Sequence, residues 1–284
     1  ISKEVWPKGL KAIADHVRAN GMEFGLWFEG EMVNPDSDLY KTHPDWVLTT
    51  GEKKSPLWRH QMVLDLARKE VFDHILERVS GVIAEVGVSY IKWDHNRVLI
   101  DAGGGGRAAY RAQVFSIYRL FDQLKARHPG LEIESCASGG GRVDLGMIEH
   151  VDRFWTSDNN DALSRVAIQS WSAQVIPPEL LGTHIGPYPN HQTGRHTPLS
   201  MRAAVALFGH AGIEWDFTQS SAGEQEDLKR WIAFYKEQRA WLHRGKLVRV
   251  DDCDEAATLY GFISHDNNRA LFTYIQREPS RSSH

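Results

Sequence analysis

Residues 71–94 read VFDHILERVSGVIAEVGVSYIKWD, a helical pattern followed by a short apolar run that ends in charged residues. Apolar residues recur at helical spacing over residues 71–86, and residues 88–94 have the length and composition of a buried strand. The alternation continues on both sides, with further strands predicted at 22–29, 131–136, 153–158, 180–186 and 212–217. Strands that alternate with helices in this way predict an α/β fold with a parallel sheet and crossover helices.

Polar and aromatic side chains at the predicted strand ends separate the two α/β architectures that fit this alternation. They are Trp27, Glu29, Lys92, Asp94, Cys136, Asp158, His184 and Asp216. A barrel collects such residues at the C-terminal ends of many strands, whereas a doubly wound sheet concentrates them near one switch point, usually beside a glycine-rich phosphate loop. The GGGG at residues 103–106 follows no strand directly, so we interpret it as a mobile loop. We therefore predict a (β/α)₈ TIM-type barrel.

The strand count predicts that this barrel is incomplete. Six strands are found where closure needs eight, and the chain begins within what reads as the loop and helix before the first of them. We expect residues 1–244 to form a partial barrel that lacks its first two βα units. Beyond residue 245, the runs LVRVDD, ATLYGFIS and RALFTYIQ are typical of antiparallel strands. Residues 245–284 are therefore expected to be the truncated start of a C-terminal β domain.

Composition excludes several classes of partner. The net charge of −4 and the pI near 6.4 give no basic surface for nucleic acid. No apolar run approaches the roughly 18–20 residues of a membrane span, so we expect no membrane association. Two cysteines, Cys136 and Cys253, do not make a disulfide framework; we expect them to be unbonded and the protein to be cytoplasmic. The sequence leaves open whether the full-length protein forms a homo-oligomer.

Asp94 is the first candidate catalytic residue. It ends an apolar strand, and Lys92, two residues earlier, points to the same face. A carboxylate that attacks an anomeric carbon must stay ionised, and a neighbouring ammonium lowers its pKa. A structural salt bridge at a strand end explains the local pattern equally well. Trp93 points to the opposite face and is predicted to be core.

Asp158, in FWTSDNNDA, is the second candidate. A glycosidase needs a second carboxyl to protonate the leaving oxygen and later to deprotonate water. The alternative is a helix N-cap, and we assign capping to Asp161 and chemistry to Asp158. Trp27 and Trp155 are candidate platforms for stacking against sugar rings.

Two features give weaker signals. Glu29 and Glu31 form either a carboxylate pair or a solvated loop. The histidine-rich THIGPYPNHQTGRH at residues 183–196 lacks metal-ligand spacing on one element, so no metal is expected there.

Five motifs in order resemble the melibiase family of α-galactosidases, glycoside hydrolase family 36, over about residues 5–240. They are FGLWFEGEMVNPDSDLYKTHPDWVL, RHQMVLDL, YIKWDHNR, ESCASGGGRVD and WTSDNNDA. The resemblance implies a (β/α)₈ barrel between an N-terminal β-sandwich and a C-terminal antiparallel β domain. It also implies a retaining hydrolase of terminal α-galactosides such as melibiose and raffinose, which needs no cofactor.

The resemblance further implies a role for each matching residue. Asp94 corresponds to the nucleophile and Asp158 to the general acid/base. The implied sugar-binding residues are Trp27, Arg59, Lys92, Asn96, Cys136 and Trp155. This chain has SDNNDA where the family commonly has SDDTDA, and the family's tandem acidic pair on the first barrel strand has no counterpart. The fragment alone is therefore expected to lack part of the sugar site and to be inactive.

Other activities stay open beside this interpretation. An α-N-acetylgalactosaminidase or a galactosyl-transferring enzyme shares the barrel and both aspartates, and the sequence does not distinguish them. An α-glucosidase would lack the paired KWD and WTSD motifs. A non-catalytic sugar-binding module is disfavoured because binding needs no second carboxyl.

Overall fold

The computed structural model describes residues 4–51 and 56–279. They form two compact units, one ending at Asp152 and the other beginning at Arg153. Both cysteines are free thiols. Within the described residues, no helix combines the length and apolar character needed to cross a membrane.

The first unit alternates strands and helices. Its elements are α1 (Lys11–Ala19), β1 (Gly25–Phe28), β2 (Met32–Val33), α2 (Asp38–Thr42), β3 (Met62–Val63), α3 (Lys69–Val86), β4 (Tyr90–Trp93), β5 (Gly103–Gly104), β6 (Arg107–Ala108), α4 (Tyr110–Arg127) and β7 (Glu132–Ser135), with 3₁₀ turns at Pro44–Trp46 and Met147–Glu149. Strand β4 pairs in parallel with β1 on one side and β7 on the other. The short strands β2 and β3 pair antiparallel.

The register of this parallel sheet separates a core face from a polar face. Ile91 pairs with Ile133, and both are fully buried. Trp93 lies on the same side of β4, with its ring 5.5 Å from that of Phe121 on α4. The opposite face carries the row Trp27–Lys92–Glu134. Because side chains alternate along a strand, Asp94 continues this polar row one position beyond β4.

The helix that precedes β4 illustrates why these elements form. Helix α3 buries Val71, Phe72, Ile75, Leu76, Val79, Ile83 and Val86, which recur at helical spacing. It ends at Gly87, whose left-handed φ of 73° suits a glycine cap. Gly30 is required for a different reason, since a Cβ there would lie 2.5 Å from the ring of Trp93.

The second unit begins with the same alternation and ends in an antiparallel sheet. Its elements are β8 (Arg153–Trp155), α5 (Ala162–Ser172), β9 (Leu181–Ile185), α6 (Leu199–Ala206), β10 (His210–Ile213), α7 (Ala222–Leu242), β11 (Lys246–Val250), β12 (Ala257–Ile263) and β13 (Ala270–Gln276), with 3₁₀ turns at Pro178–Leu180 and Phe217–Gln219. Strand β9 pairs in parallel with β8 and β10, whereas β12 pairs antiparallel with β11 and β13. The α/β class and the change to antiparallel strands near residue 245 are therefore confirmed.

Two local predictions were wrong. The strand expected at 212–217 is β10, which begins at His210 and ends at Ile213; Asp216 instead caps a 3₁₀ turn and is exposed. The glycines at 103–106 form the tip of the β5–β6 hairpin, not an irregular loop. Gly105 and Gly106 have φ values of 55° and 79°, which a tight two-residue hairpin turn requires.

Candidate active site

Asp94 lies directly after β4, and its side chain is 7% exposed. One carboxylate oxygen, Oδ2, accepts hydrogen bonds from Trp27 Nε1 at 3.1 Å and Asn96 Nδ2 at 2.7 Å. The other, Oδ1, accepts from the backbone N–H of His95 at 2.8 Å and of Ser138 at 3.3 Å. Both oxygens are therefore fixed in direction by donors from β1, the loop after β4 and the loop after β7.

These donors determine the protonation state of Asp94. Burial raises the pKa of the carboxyl, but hydrogen bonds from Asn96, Cys136 and Trp27 outweigh it, so the pKa lies below its usual value. Burial, together with the negative charge of Asp94, raises the pKa of the Cys136 thiol to about 12. The thiol therefore stays protonated and can donate to Asp94. The result is a buried carboxylate that is ionised at neutral pH, as a nucleophile requires.

Lys92 pairs with a carboxylate other than Asp94, the one for which a pairing was predicted. Its ammonium lies 3.2 Å from a carboxylate oxygen of Glu134, on the neighbouring strand β7. The Tyr90 hydroxyl donates to the same carboxylate. The prediction that the pKa of Asp94 is lowered is correct in direction, but hydrogen-bond donors, and not the Lys92 ammonium, are the main cause.

Glu31, for which the sequence left a carboxylate pair and a solvated loop open, is a buried carboxylate. It is 1% exposed and accepts hydrogen bonds from Trp93 Nε1 and Arg142 Nη1, both at 2.9 Å. His95 Nδ1 lies 3.4 Å from its other oxygen. Burial raises the pKa of Glu31, but the charges of Arg142 and His95 outweigh it and hold the pKa well below its usual range. The solvated-loop interpretation is therefore wrong for Glu31, which ties together the segments around Asp94.

Glu29, the other acid of this loop, also receives specific partners. Its two oxygens accept from Gln61 Nε2 at 2.7 Å and from the backbone N–H of Asn96 at 3.3 Å. Arg59 lies at the exposed tip of a two-residue turn between Trp58 and Gln61, with a φ of 52°. The turn that carries Arg59 and Gln61 thus directs Gln61 toward Glu29 and leaves the Arg59 side chain exposed to solvent.

The two predicted platforms have opposite environments. Trp27 is 52% exposed on the polar face of the sheet and can offer its ring to a ligand. Trp155, at the end of β8, is 1% exposed, and its ring packs 4.2 Å from the His184 ring and 4.2 Å from the Arg165 guanidinium carbon. The stacking role predicted for Trp155 is therefore wrong in this structure. The packed ring directs its Nε1 to Asp158 Oδ1 at 2.9 Å.

Asp158 is exposed, and Arg165 donates hydrogen bonds to residues on both sides of it in the same loop. This buried guanidinium donates to Thr156 Oγ1 at 3.0 Å, to the Ser157 carbonyl and to Asn160 Oδ1 at 3.2 Å. The carboxyl of Asp158 is therefore in contact with solvent, while hydrogen bonds from Arg165 hold the backbone of its loop.

Asp161 occupies the N-cap position of α5, as predicted, but its side chain makes no capping hydrogen bond. It forms an ion pair with Arg195 and accepts from Ser164 Oγ at 3.0 Å. An ion pair is the stronger partner for a fully buried carboxylate, which explains why the capping bond is not made.

The structure thus gathers Asp94, Trp27, Asn96 and Cys136 in the first unit, and Asp158 with Trp155 in the second. The charged residues that sequence reasoning missed are Glu134, Arg142 and Arg165, and Glu31 was named there only with two alternatives left open. Arg142 was signalled only by its place at the end of the glycine-rich motif, and no local signal pointed to Arg165.

Known proteins share both the sequence and this arrangement of elements. The Melibiase family model matches residues 1–245. An α-galactosidase of Escherichia coli is 45% identical over 274 residues, which cover 96% of this chain and 39% of that protein. The crystal structure of the family GH36 α-galactosidase AgaA from Geobacillus stearothermophilus matches with a TM-score of 0.90 and 38% identity, over 94% of this chain and 38% of that one.

A second crystal structure, of an α-galactosidase from Lactobacillus brevis, matches with a TM-score of 0.93 and 37% identity over 97% of this chain and 38% of that one. A variant of AgaA has been solved in complex with raffinose. The chain spans 39% of the length of the Escherichia coli relative. Because the family model covers most of its length, the chain belongs to the Melibiase family.

Proposed function

We propose that the protein to which this chain belongs is a retaining α-galactosidase that hydrolyses terminal α-galactosides of the melibiose and raffinose type. The observation that carries the proposal is Asp94, a buried carboxylate kept ionised by donors to both of its oxygens. A fixed anion of this kind is suited to attack an anomeric carbon. Membership of a family with named α-galactosidases supports the sugar and its anomeric configuration.

In the first step, an oxygen of Asp94 attacks the anomeric carbon from the face opposite the leaving group. The bond from that carbon to the leaving oxygen breaks, and its electron pair takes the proton of the Asp158 carboxyl. The products are a β-galactosyl ester on Asp94 and a free alcohol.

In the second step, Asp158, now a carboxylate, takes a proton from water while the water oxygen attacks the same carbon. The ester bond breaks, Asp94 regains its charge, and two inversions give α-galactose. This double displacement requires carboxyls about 5–5.5 Å apart.

The sugar contacts are part of the same proposal. Trp27 offers its exposed ring to the galactose face, and Lys92, on the same polar face, donates to its hydroxyls. Asn96, Cys136 and Arg59 supply further contacts at the same mouth. Asn96 and the Cys136 thiol do so while also holding Asp94.

We further propose that the parallel strands of residues 1–244 belong to one (β/α)₈ barrel and that residues 245–284 begin a separate β domain. The support is the observed change from parallel to antiparallel pairing, which falls between β10 and β11. Two βα units beyond the six strands seen here would complete the barrel.

The test is an assay of the complete protein on 4-nitrophenyl α-galactoside and on the matching α-N-acetylgalactosaminide. Proton NMR of the first turnovers should show α-galactose before mutarotation. Initial β-galactose would exclude the retaining mechanism. Preference for the N-acetylated substrate would reassign the specificity, and transfer to added sugar in place of hydrolysis would reassign the reaction.

A further inference from the structure

Glu134 is a buried carboxylate on the polar face of the parallel sheet in the first unit, and it contacts two side chains of the neighbouring strand. It lies on β7 directly opposite Lys92 of β4 and is 3% exposed. One of its oxygens, Oε1, lies 3.2 Å from the Lys92 ammonium, and the other, Oε2, accepts a hydrogen bond from the Tyr90 hydroxyl. Rotation of the carboxylate would therefore break at least one of these contacts.

The burial of this ion pair indicates a role beyond stability. Taking a carboxylate out of water costs free energy that an apolar pair of similar volume would avoid, so a buried ion pair is weak evidence for stabilisation. The pair also lies beside a surface that is open to a ligand. Strand β1 places Trp27 opposite Lys92, and Trp27 is 52% exposed. The row Trp27–Lys92–Glu134 thus combines an accessible ring, an ammonium and a buried anion behind that ammonium.

The Lys92 ammonium is the member of this row whose position most needs a second group to fix it. A lysine carries its charge on a flexible four-carbon stem with rotatable donors, and holding it in one place costs side-chain entropy. The Lys92 side chain is 25% exposed, whereas that of Glu134 is 4% exposed. Glu134 therefore holds the ammonium from the buried side. An ammonium that is already oriented loses less freedom when it binds a hydroxyl group.

We propose that Glu134 is a positioning residue that fixes the Lys92 ammonium for one hydroxyl of the galactosyl ring, and that Tyr90 fixes Glu134 in turn. This role rests on the proposed function, in which Lys92 donates to the galactose hydroxyls. Glu134 acts through Lys92, because its carboxylate is buried and both of its oxygens have partners on β4. The chain Tyr90–Glu134–Lys92 thereby contributes to the choice of sugar by the position of a hydroxyl group.

The experiment measures which hydroxyl each variant stops recognising. In the complete enzyme, kcat/KM is determined for 4-nitrophenyl α-galactoside and for its monodeoxy derivatives, each of which lacks one sugar hydroxyl. Lys92→Met should lower kcat/KM for every substrate except the derivative without the hydroxyl that Lys92 binds. Glu134→Gln should show the same exception, and should lower kcat/KM for the parent galactoside about tenfold, the factor that 1.4 kcal/mol of binding represents, mainly by raising KM. Tyr90→Phe should repeat the exception with a smaller loss.

Asp152→Asn is the matched control. Asp152 pairs with the Lys125 ammonium at 2.9 Å and accepts from the backbone N–H of Ile133, the residue before Glu134 on β7. The substitution therefore weakens another lysine–carboxylate pair at the same strand but leaves Glu134 and its two partners unaltered. Any loss of kcat/KM in this variant should be equal for the parent galactoside and all of its derivatives.

The variants also give the results that would contradict the positioning role. Equal loss on all substrates in Glu134→Gln, or no loss, would overturn it. If Glu134→Gln does not fold, Tyr90→Phe decides by the same criterion, because it removes one hydroxyl and keeps the ion pair. A Lys92→Met variant without an exception would also overturn the role, although hydrolysis by the unaltered enzyme would stand. If the unaltered enzyme does not cleave the parent galactoside, the proposed function itself fails, so the two failures are distinguishable.

Discussion

Replacing Asn96 with alanine is expected to raise the pKa of Asp94 and to move the acid limb of the pH profile upward. The Asn96 amide donates the shortest hydrogen bond to the Asp94 side chain, at 2.7 Å, and only the ionised carboxylate benefits fully from it. A hydrogen bond to a charged group contributes about 1.5–3 kcal/mol, and one pKa unit corresponds to about 1.4 kcal/mol. Other donors to Asp94 will partly compensate, so we expect a shift of about one unit.

The assay is kcat/KM for an activated aryl α-galactoside between pH 3 and pH 8 in the complete enzyme, since this constant reports the free enzyme. Ser138→Ala is the matched control. It removes the hydroxyl that donates to Asn96 at 3.1 Å but retains the backbone N–H that donates to Asp94. The control should leave the acid limb nearly unmoved. An unmoved or lowered acid limb in Asn96→Ala would mean that Asp94 is not the group whose ionisation limits the rate.

Three further predictions concern roles and stability. Asp94→Ala with added azide should give β-galactosyl azide, whereas Asp158→Ala with an activated aryl galactoside and azide should give α-galactosyl azide; the reverse products, identified by NMR, would exchange the two roles. Glu31→Gln removes the buried charge that pairs with Arg142 and should cost about 3 kcal/mol or more, seen as a Tm lower by roughly 5–10 °C, while the exposed Glu77→Gln should change Tm by less than about 2 °C. Burial, aided by nearby positive charge, lowers the pKa of His210 from 6.5 to about 4. As the pH falls from 6.5 to about 4, His210 takes up a proton in the unfolded chain before it does so in the folded one, and the free energy of unfolding therefore decreases over this range. His210→Asn should make the urea midpoint fall less steeply between these pH values. An equally steep fall in the variant would contradict the reasoning.

Local periodicity was sufficient to predict the elements that place Asp94. Helix α3 and strand β4 carry strong signals, because the pattern changes at Gly87 from helical spacing to a short strand that buries alternate residues. The prediction at residues 212–217 failed because only Leu207, Phe208 and Gly209 separate α6 from β10, and the helical pattern was extended through them to residue 212. His210 and Ala211 begin that strand, yet neither has a β-branched side chain.

The electrostatic part of the site could not be predicted locally because its partners are distant in sequence. Arg142 meets Glu31 across 111 residues, and Lys92 meets Glu134 across a strand pair whose register the sequence does not specify. The resemblance gave candidate residues, but it did not say that Trp155 would be buried. That follows from the guanidinium of Arg165 and the ring of His184, which pack against the indole.

The contrast between the two aspartates is the strongest physical argument for dividing the roles between them. A nucleophile must stay an anion in the free enzyme, and Asp94 meets this need through donors to both oxygens in a buried position. A general acid/base must lose and regain a proton once in each turnover, and the proton that it regains comes from the attacking water. Asp158 is exposed and accepts its hydrogen bond from the Trp155 indole, which orients one oxygen and leaves the other side of the carboxyl open. Exchanging the roles would ask the buried, fixed anion to carry a proton, and the donors to both oxygens of Asp94 oppose that assignment.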